Sequence, residues 1–284
     1  MILAAALAST YALPSQRATA CVHTGLPPVY FLLTSTPDRA ARLPRVLSML
    51  RRQTLPPRAA ILTIAEHYDG ARFANDTYPL GALEAVDADA TARGGSCCRL
   101  VVNRLPSDRG PISKYFGAVA PAVREPSTAI VVVGDDDMEY GSTFIEDYAC
   151  AVHGGAVGTV FSSGIDVDCR RLGGCVMGFR GVAMRASMLA ALPHTPLPRE
   201  CFLADDVAIT HYLARAPNSF HVRRLKLRSK YTFDEAFAWS NSSINSYHRE
   251  RKFKVNKVCI AALLGPGLAA GGAKFMAGSR RAES

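Results

Sequence analysis

The hydrophobic positions of this chain form short apolar runs that alternate with helical patterns. The runs are rich in β-branched residues, and the segments between them place apolar side chains three or four positions apart. This alternation is typical of a parallel α/β sheet. In the first half it predicts strands at 29–35, 59–65, 99–103 and 129–133, and helices at 42–53, 112–123 and 142–153.

The pattern is less regular after residue 153. It predicts strands at 156–161, 174–178 and 219–227, and helices at 181–192, 202–216 and 243–263. Neither an internal repeat nor a linker divides the chain, and its 284 residues suit one domain with extensions. We therefore expect an α/β domain over residues 27–260, built on a Rossmann-like, mostly parallel sheet flanked by helices.

The two chain ends have their own character. Residues 1–26 form an extension with a short apolar run, and Ala18-Thr19-Ala20 is similar to a signal-peptide cleavage site, although no basic region precedes it. Both the lumen of the secretory pathway and the cytoplasm therefore stay open. Residues 261–284 form an apolar and basic tail that is too interrupted to span a membrane. With Lys252, Lys254 and Lys257 in front, peripheral contact with an anionic membrane is the alternative to a solvated tail.

The positive charge is concentrated in the C-terminal part. The formal net charge is +9, and the segment from Arg223 to Lys257 contains ten basic and three acidic residues. Such a segment favours an anionic partner: a nucleotide diphosphate, an acidic glycan, nucleic acid or a membrane surface.

The eight cysteines do not follow a metal-binding pattern. No CxxC pair occurs, which argues against a structural zinc site. Cys169 and Cys175 could close a small disulfide loop in an oxidising compartment, but buried or surface thiols explain them equally well.

The main candidate for a functional site is the segment Ala129–Tyr140, AIVVVGDDDMEY. Three consecutive carboxylates follow a buried strand, and they repel one another unless a cation lies among them. In open α/β sheets ligands bind at the carboxyl ends of the strands, and Mg²⁺ or Mn²⁺ takes one or two carboxylates together with substrate phosphates. Asp135 and Asp137 can point the same way and are the candidate metal ligands, while Asp136 could replace one of them.

Two further segments are candidates for the same site. Asp205 and Asp206 begin a helix with apolar spacing, where capping explains one carboxylate and a general base would explain the pair. Lys114 follows a Gly-Pro turn and is predicted in the first turn of a helix, a position that suits a phosphate. His248, in the basic C-terminal region, is a candidate late metal ligand or a surface residue.

Three segments, taken in order, resemble the nucleotide-sugar glycosyltransferases of GT-A fold, whose metal motif is DxD. The segments are VVVGDDDMEY, GFRGVAMR and LADDVAITHYL. The resemblance implies a GT-A-like domain with a nucleotide-binding half over 27–140 and an acceptor half over 141–260. It implies that Thr34, Arg39, Lys114 and Asp136 lie near the donor. It further implies that Arg180 and Gly181, in GFRGVAMR, contact the acceptor.

The chemistry that this resemblance implies is sugar transfer from a nucleoside diphosphate to a hydroxyl of a glycan or glycoprotein. Mn²⁺ or Mg²⁺ at Asp135 and Asp137 would stabilise the leaving diphosphate, and Asp206, supported by Asp205, would be the base. A base in this position favours inversion. Members of the same fold with a DD pair retain configuration, so both outcomes stay open.

Two other classes of protein remain as alternatives. A Gly-Asp-Asp turn is also typical of RNA-dependent polymerases, so a metal-dependent nucleotidyl or phosphoryl transferase stays open, although the chain is short for a polymerase. The second alternative is a non-catalytic, basic module that binds nucleic acid or a membrane surface. Of these partners, nucleic acid is the less favoured.

Overall fold

The computed structural model describes residues 15–68, 77–79, 81, 98–166, 174–215, 221–229, 231–233 and 255–264. Within them an eight-stranded sheet has the order β1-β11-β7-β10-β5-β2-β3-β4. Its strands are β1 (Ser15–Arg17), β2 (Val29–Thr34), β3 (Ala59–Ala65), β4 (Arg99–Leu105), β5 (Ile130–Val133), β7 (Thr159–Ser162), β10 (Val182–Arg185) and β11 (His221–Lys226).

Seven of these strands run in one direction, and β10 runs against β5 and β7 on either side of it. Two small antiparallel pairs lie outside the sheet. They join β6 (Met138–Tyr140) to β12 (Tyr231–Phe233), and β8 (Ile165–Asp166) to β9 (Cys175–Val176). The predicted mixed α/β fold with a mostly parallel sheet flanked by helices is confirmed.

Helices cover both faces of the sheet. The helices are α1 (Leu43–Arg51), a single turn α2 (Ser113–Phe116), α3 (Phe144–Gly154), α4 (Asp205–Arg215) and α5 (255–264). Short 3₁₀ helices include Pro37–Arg42, Gly117–Val119, Gly178–Arg180 and Ala186–Leu189. Along β2, Tyr30 and Leu32 enter the core under α2 and α4, whereas Phe31 and Leu33 enter the core under α1 and α3. A strand that is buried on both faces is therefore continuously apolar.

Two predicted helices are wrong. The segment 181–192 is β10 followed by a 3₁₀ turn. The first three residues of β10 are buried on both faces of the sheet, so the strand lacks the alternation that marks a half-buried strand. The segment 112–123 is one helical turn and a 3₁₀ turn. Gly117 lies directly on Ile61 and Leu32, where a Cβ would come within 3.1 and 3.2 Å of their side chains.

Disulfides connect elements that are distant in sequence. Cys21 is bonded to Cys150 on α3, and Cys201, just before α4, is bonded to Cys259 on α5. Neither pairing was predicted. Cys175 is also disulfide-bonded, while Cys169 lies outside the described residues. Within the part of the chain that the structure describes, no helix is long and apolar enough to cross a membrane.

The segment that precedes β2 contributes to the sheet. Ser15–Arg17 is the edge strand β1, paired in parallel with β11, and Ala18 is buried. The predicted boundary at residue 26 stays a prediction.

Candidate active site

The acidic turn lies at the carboxyl edge of the central sheet. Asp135, Asp136 and Asp137 follow β5, the strand between β2 and β10, and Gly134 makes the turn possible. A Cβ on Gly134 would lie 2.3 Å from the Tyr140 hydroxyl and 2.8 Å from the Phe31 ring. Only glycine allows so close an approach between the strand end and these two rings.

Two basic side chains of the protein itself neutralise part of the acidic turn. Arg39 Nη2 lies 2.6 Å from Asp136 Oδ1 and 2.8 Å from Asp137 Oδ2. Lys114 Nζ donates to Asp135 Oδ1 at 2.6 Å, and Ser35 Oγ donates to Asp136 Oδ2 at 2.6 Å. Each carboxylate thus has a basic partner, which limits the repulsion between the three.

Lys114 also links the acidic turn to the second acidic pair. Its Nζ lies 2.7 Å from Asp205 Oδ2, in the first turn of α4, and only 1% of the residue is exposed. Asp206 accepts a hydrogen bond from the backbone N–H of Gly178 at 2.7 Å. The two acidic segments, predicted separately, therefore meet around one buried ammonium group.

Gly178 is a part of this site that the sequence pattern did not single out. A Cβ there would lie 2.8 Å from the Tyr115 hydroxyl, 3.1 Å from Lys114 Nζ and 3.2 Å from Asp206 Oδ1. Ser35 and Tyr115 were missed as well, since a serine after a strand and an aromatic residue in a helix are common core features. Gly178 begins the segment GFRGVAMR without being assigned a role, and no local signal in the sequence marks Ser35 or Tyr115 as site residues.

The electrostatics of the site raise the pKa of two carboxyls and keep the lysine charged. Burial, reinforced by Asp205, raises the pKa of Asp206 well above its ordinary value. Burial, reinforced by Asp137, likewise raises the pKa of Asp136 to about 6, although Arg39 opposes the shift. Burial disfavours the charge on Lys114, but Asp135 and Asp205 more than offset it and raise the pKa of this lysine, which stays charged.

The acidic turn can accept a further cation. The described residues contain no group of three or more His, Cys, Asp or Glu side chains that could hold a metal by themselves. Magnesium at nucleotide sites, however, takes only one or two carboxylates and fills its shell with water and phosphate. Asp137 Oδ1 is buried and accepts no hydrogen bond, so this oxygen is available to a cation. Asp137 therefore offers one oxygen to a divalent ion, and His248 lies outside the described residues.

The remaining predicted site residues have structural contacts. The Thr34 hydroxyl donates to the Thr63 carbonyl at 2.7 Å, at the end of β2. The Arg180 guanidinium lies 5.5 Å from the centre of the Phe179 ring. Gly181, with φ +94°, packs against α3, where a Cβ would come within 2.5 Å of Phe144.

A cavity of about 320 Å³ adjoins the acidic turn. It lies between one face of α1 and strand β6, and Asp136 forms part of its wall. Arg45, which is paired with Glu139, and the apolar residues Val46 and Met49 also line it. The cavity is thus both apolar and charged, and Asp136 connects it to the acidic turn.

Comparison with known proteins gives structural similarities only. No known protein family matches the sequence, and no curated protein matches it. The chain is similar to mannosyltransferase PcManGT from Pyrobaculum calidifontis in complex with GDP-Man and Mn²⁺, with 16% identity, a TM-score of 0.48, and coverage of 89% of this chain and 78% of that one. It is also similar to TarS residues 1–349 from S. aureus, with 13% identity, a TM-score of 0.46, and coverage of 86% and 73%.

Proposed function

We propose that this protein is a metal-dependent glycosyltransferase that moves a sugar from a nucleoside-diphosphate sugar to an acceptor hydroxyl. The observation that carries the proposal is the convergence of Asp135–Asp137 and Asp205–Asp206 around Lys114. Two acidic groups at the carboxyl edge of a parallel sheet provide one side for a metal-bound diphosphate and another for proton transfer.

The donor side of the site consists of the acidic turn and its basic partners. Asp135 and Asp137 would hold Mn²⁺ or Mg²⁺, and the bound ion would stabilise the charge that develops on the leaving diphosphate. The buried, unpartnered oxygen of Asp137 supports this assignment. Arg39 orients Asp136 and Asp137, and Lys114 acts on the donor through Asp135, because its ammonium group is enclosed by carboxylates. Thr34, at the end of β2, belongs to the same side.

The acceptor side is centred on Asp206. This carboxylate takes the proton of the attacking hydroxyl, and its raised pKa brings its basicity closer to neutral pH, where a general base is most effective. The Gly178 N–H fixes one oxygen of Asp206, and Lys114 fixes Asp205 beside it. A base in this position favours direct displacement with inversion, while retention is the alternative outcome. Arg180 and Gly181 are the proposed acceptor contacts, and the acceptor is a glycan or glycoprotein.

The compartment that fits this proposal is an oxidising one, such as the secretory lumen. Cys21–Cys150 and Cys201–Cys259 are disulfides, which persist in oxidising environments and are rare in the cytosol.

The experiment is donor turnover by the purified chain. A panel of nucleotide sugars is incubated with a mixture of glycan acceptors and Mn²⁺, Mg²⁺ or EDTA, and the released nucleoside diphosphate is measured. We expect metal-dependent release from one donor, lost in Asp137→Ala and kept in the matched control Asp38→Ala, whose aspartate is exposed.

Two other outcomes would replace the proposal. Release of pyrophosphate instead of nucleoside diphosphate would indicate nucleotidyl transfer. The absence of both turnover and a thermal shift with nucleotide and metal would indicate a non-catalytic binding module.

A further inference from the structure

Three basic side chains form a cluster at the edge of the sheet farthest from β4. Arg224 and Lys226 lie two positions apart on β11, and the parallel pairing with β1 places Ser15 opposite Arg224 and Arg17 opposite Lys226. We call Arg17, Arg224 and Lys226 the basic ladder. Arg17 is more than 200 residues from the other two in sequence, so only strand pairing brings the three together.

The ladder lies on one face of the sheet. Successive side chains of a strand point to opposite faces. Leu225 is buried in the core under α1 and α3, so Arg224 and Lys226 point to the other face, as does Val222. All three ladder residues are exposed, and none forms an ion pair with any described residue.

The charge of the ladder is not compensated by its own strands. β1, β7 and β11 contain no carboxylate. Residues two apart on a strand are about 6.6 Å apart, and neighbouring strands are about 4.8 Å apart. The backbone positions of the ladder are therefore about 5–7 Å apart, a spacing that suits a linear chain with regularly spaced anionic groups.

The ladder is also within reach of the candidate active site. β1, β11 and β5 point the same way, so the ladder's Arg17 and Lys226 end lies at the sheet edge that carries the acidic turn. β11 is three strands from β5 and β1 is four, which corresponds to about 14–19 Å at 4.8 Å per strand. A chain bound along the ladder could thus extend toward Asp206.

We propose that the basic ladder binds an anionic glycan, a linear chain of sugars bearing carboxylate or sulfate groups, and that this glycan is the acceptor. The binding stands on the geometry of the ladder alone, whereas the role as acceptor rests on the proposed function. A membrane fits less well, because the large exposed apolar residues of the described chain, Val22, Val119, Val157 and Val258, all lie outside β1, β7 and β11. Surfaces that bind membranes combine basic with apolar side chains.

The test compares the two faces of one strand. Arg224→Gln and the triple variant Arg17→Gln/Arg224→Gln/Lys226→Gln are matched with Arg223→Gln. Arg223 is also exposed on β11 but points to the opposite face. Affinities of the full chain are measured by titration with polygalacturonate and heparin oligosaccharides over a range of salt concentrations. Vesicles containing phosphatidylserine and a single-stranded oligonucleotide serve as competing probes.

We expect each ladder substitution to weaken binding to the anionic glycan by about 1.5- to 5-fold and to reduce its salt dependence, with the triple variant losing most of it. Arg223→Gln should bind like the wild type. An equal loss in Arg223→Gln, tight binding only to vesicles or to the oligonucleotide, or no glycan binding would each overturn the proposal.

The role of the ladder in binding the acceptor is tested separately from the transferase activity. With an anionic acceptor, the triple variant should raise the KM for that acceptor and leave donor hydrolysis without acceptor unchanged. If the triple variant turns over the donor with an unchanged KM for the acceptor, the transferase activity is supported and the acceptor role of the ladder is refuted. If the protein binds the glycan but turns over no donor, the transferase activity is refuted and the ladder is supported as a binding surface only.

Discussion

Replacing Lys114 with methionine should destabilise the protein strongly, because it leaves two carboxylates around an apolar side chain. The Lys114 side chain is 2% exposed, while those of its partners Asp135 and Asp205 are 28% and 15% exposed. Removing one partner of a buried ion pair costs about 3–5 kcal/mol. Because water still reaches both carboxylates, we expect a loss near the lower end, about 3 kcal/mol. Domains of this kind have about 5–15 kcal/mol of unfolding free energy, so Lys114→Met should still fold.

The assay is urea denaturation followed by circular dichroism, at neutral pH and in EDTA. Lys257→Met, an exposed lysine on α5, is the control and should change the unfolding free energy by less than about 0.5 kcal/mol. Adding Asp205→Asn to Lys114→Met should recover part of the lost unfolding free energy. When Mn²⁺ replaces EDTA, it should stabilise Lys114→Met more than the wild type. A loss as small as that of the control would refute the placement of Lys114 between the two carboxylates.

Three other substitutions test separate parts of the site. Asp206→Asn should lower kcat by about 10²-fold or more with little change in KM, and the wild-type kcat should rise with pH through a range above that of an ordinary carboxyl, as a pH–rate profile would reveal. Asp136→Asn should raise the unfolding free energy at pH 7 by about 3 kcal/mol. The wild-type carboxyl takes up a proton on folding, its pKa being raised from 3.8 to about 6, so the gain should vanish near pH 4 in denaturation curves. Gly181→Ala should cost about 2–4 kcal/mol, from φ +94° and the 2.5 Å approach to Phe144, and a lowered Tm in calorimetry would verify this.

Two basic side chains of the protein offset part of the repulsion between the carboxylates of the acidic turn. Arg39 and Lys114 each contact two carboxylates, so these two cations face the four carboxylates of Asp135, Asp136, Asp137 and Asp205. The site therefore keeps a negative excess. That excess is the physical basis for expecting a divalent ion to bind there.

The central strands and the acidic turn could be predicted from the sequence, because both depend on local properties. A run such as that of β3, predicted at 59–65 and observed there, is apolar throughout because it is buried on both faces. Three aspartates after β5 repel one another whatever the rest of the chain does. The sequence therefore determined the fold class, the position of the acidic turn and the first turn of α4 with its acidic pair.

The contacts that make these segments one site were decided by the tertiary structure. Lys114 meets Asp205 across 91 positions, and Gly178 meets Asp206 just before β10, a strand whose reverse direction its short apolar run could not indicate. The pairing of Arg17 with Lys226 likewise depends on strand order. Local propensity acts over a few residues, whereas side chains meet across a sheet through the packing of the whole core, and no short pattern in the sequence encodes that.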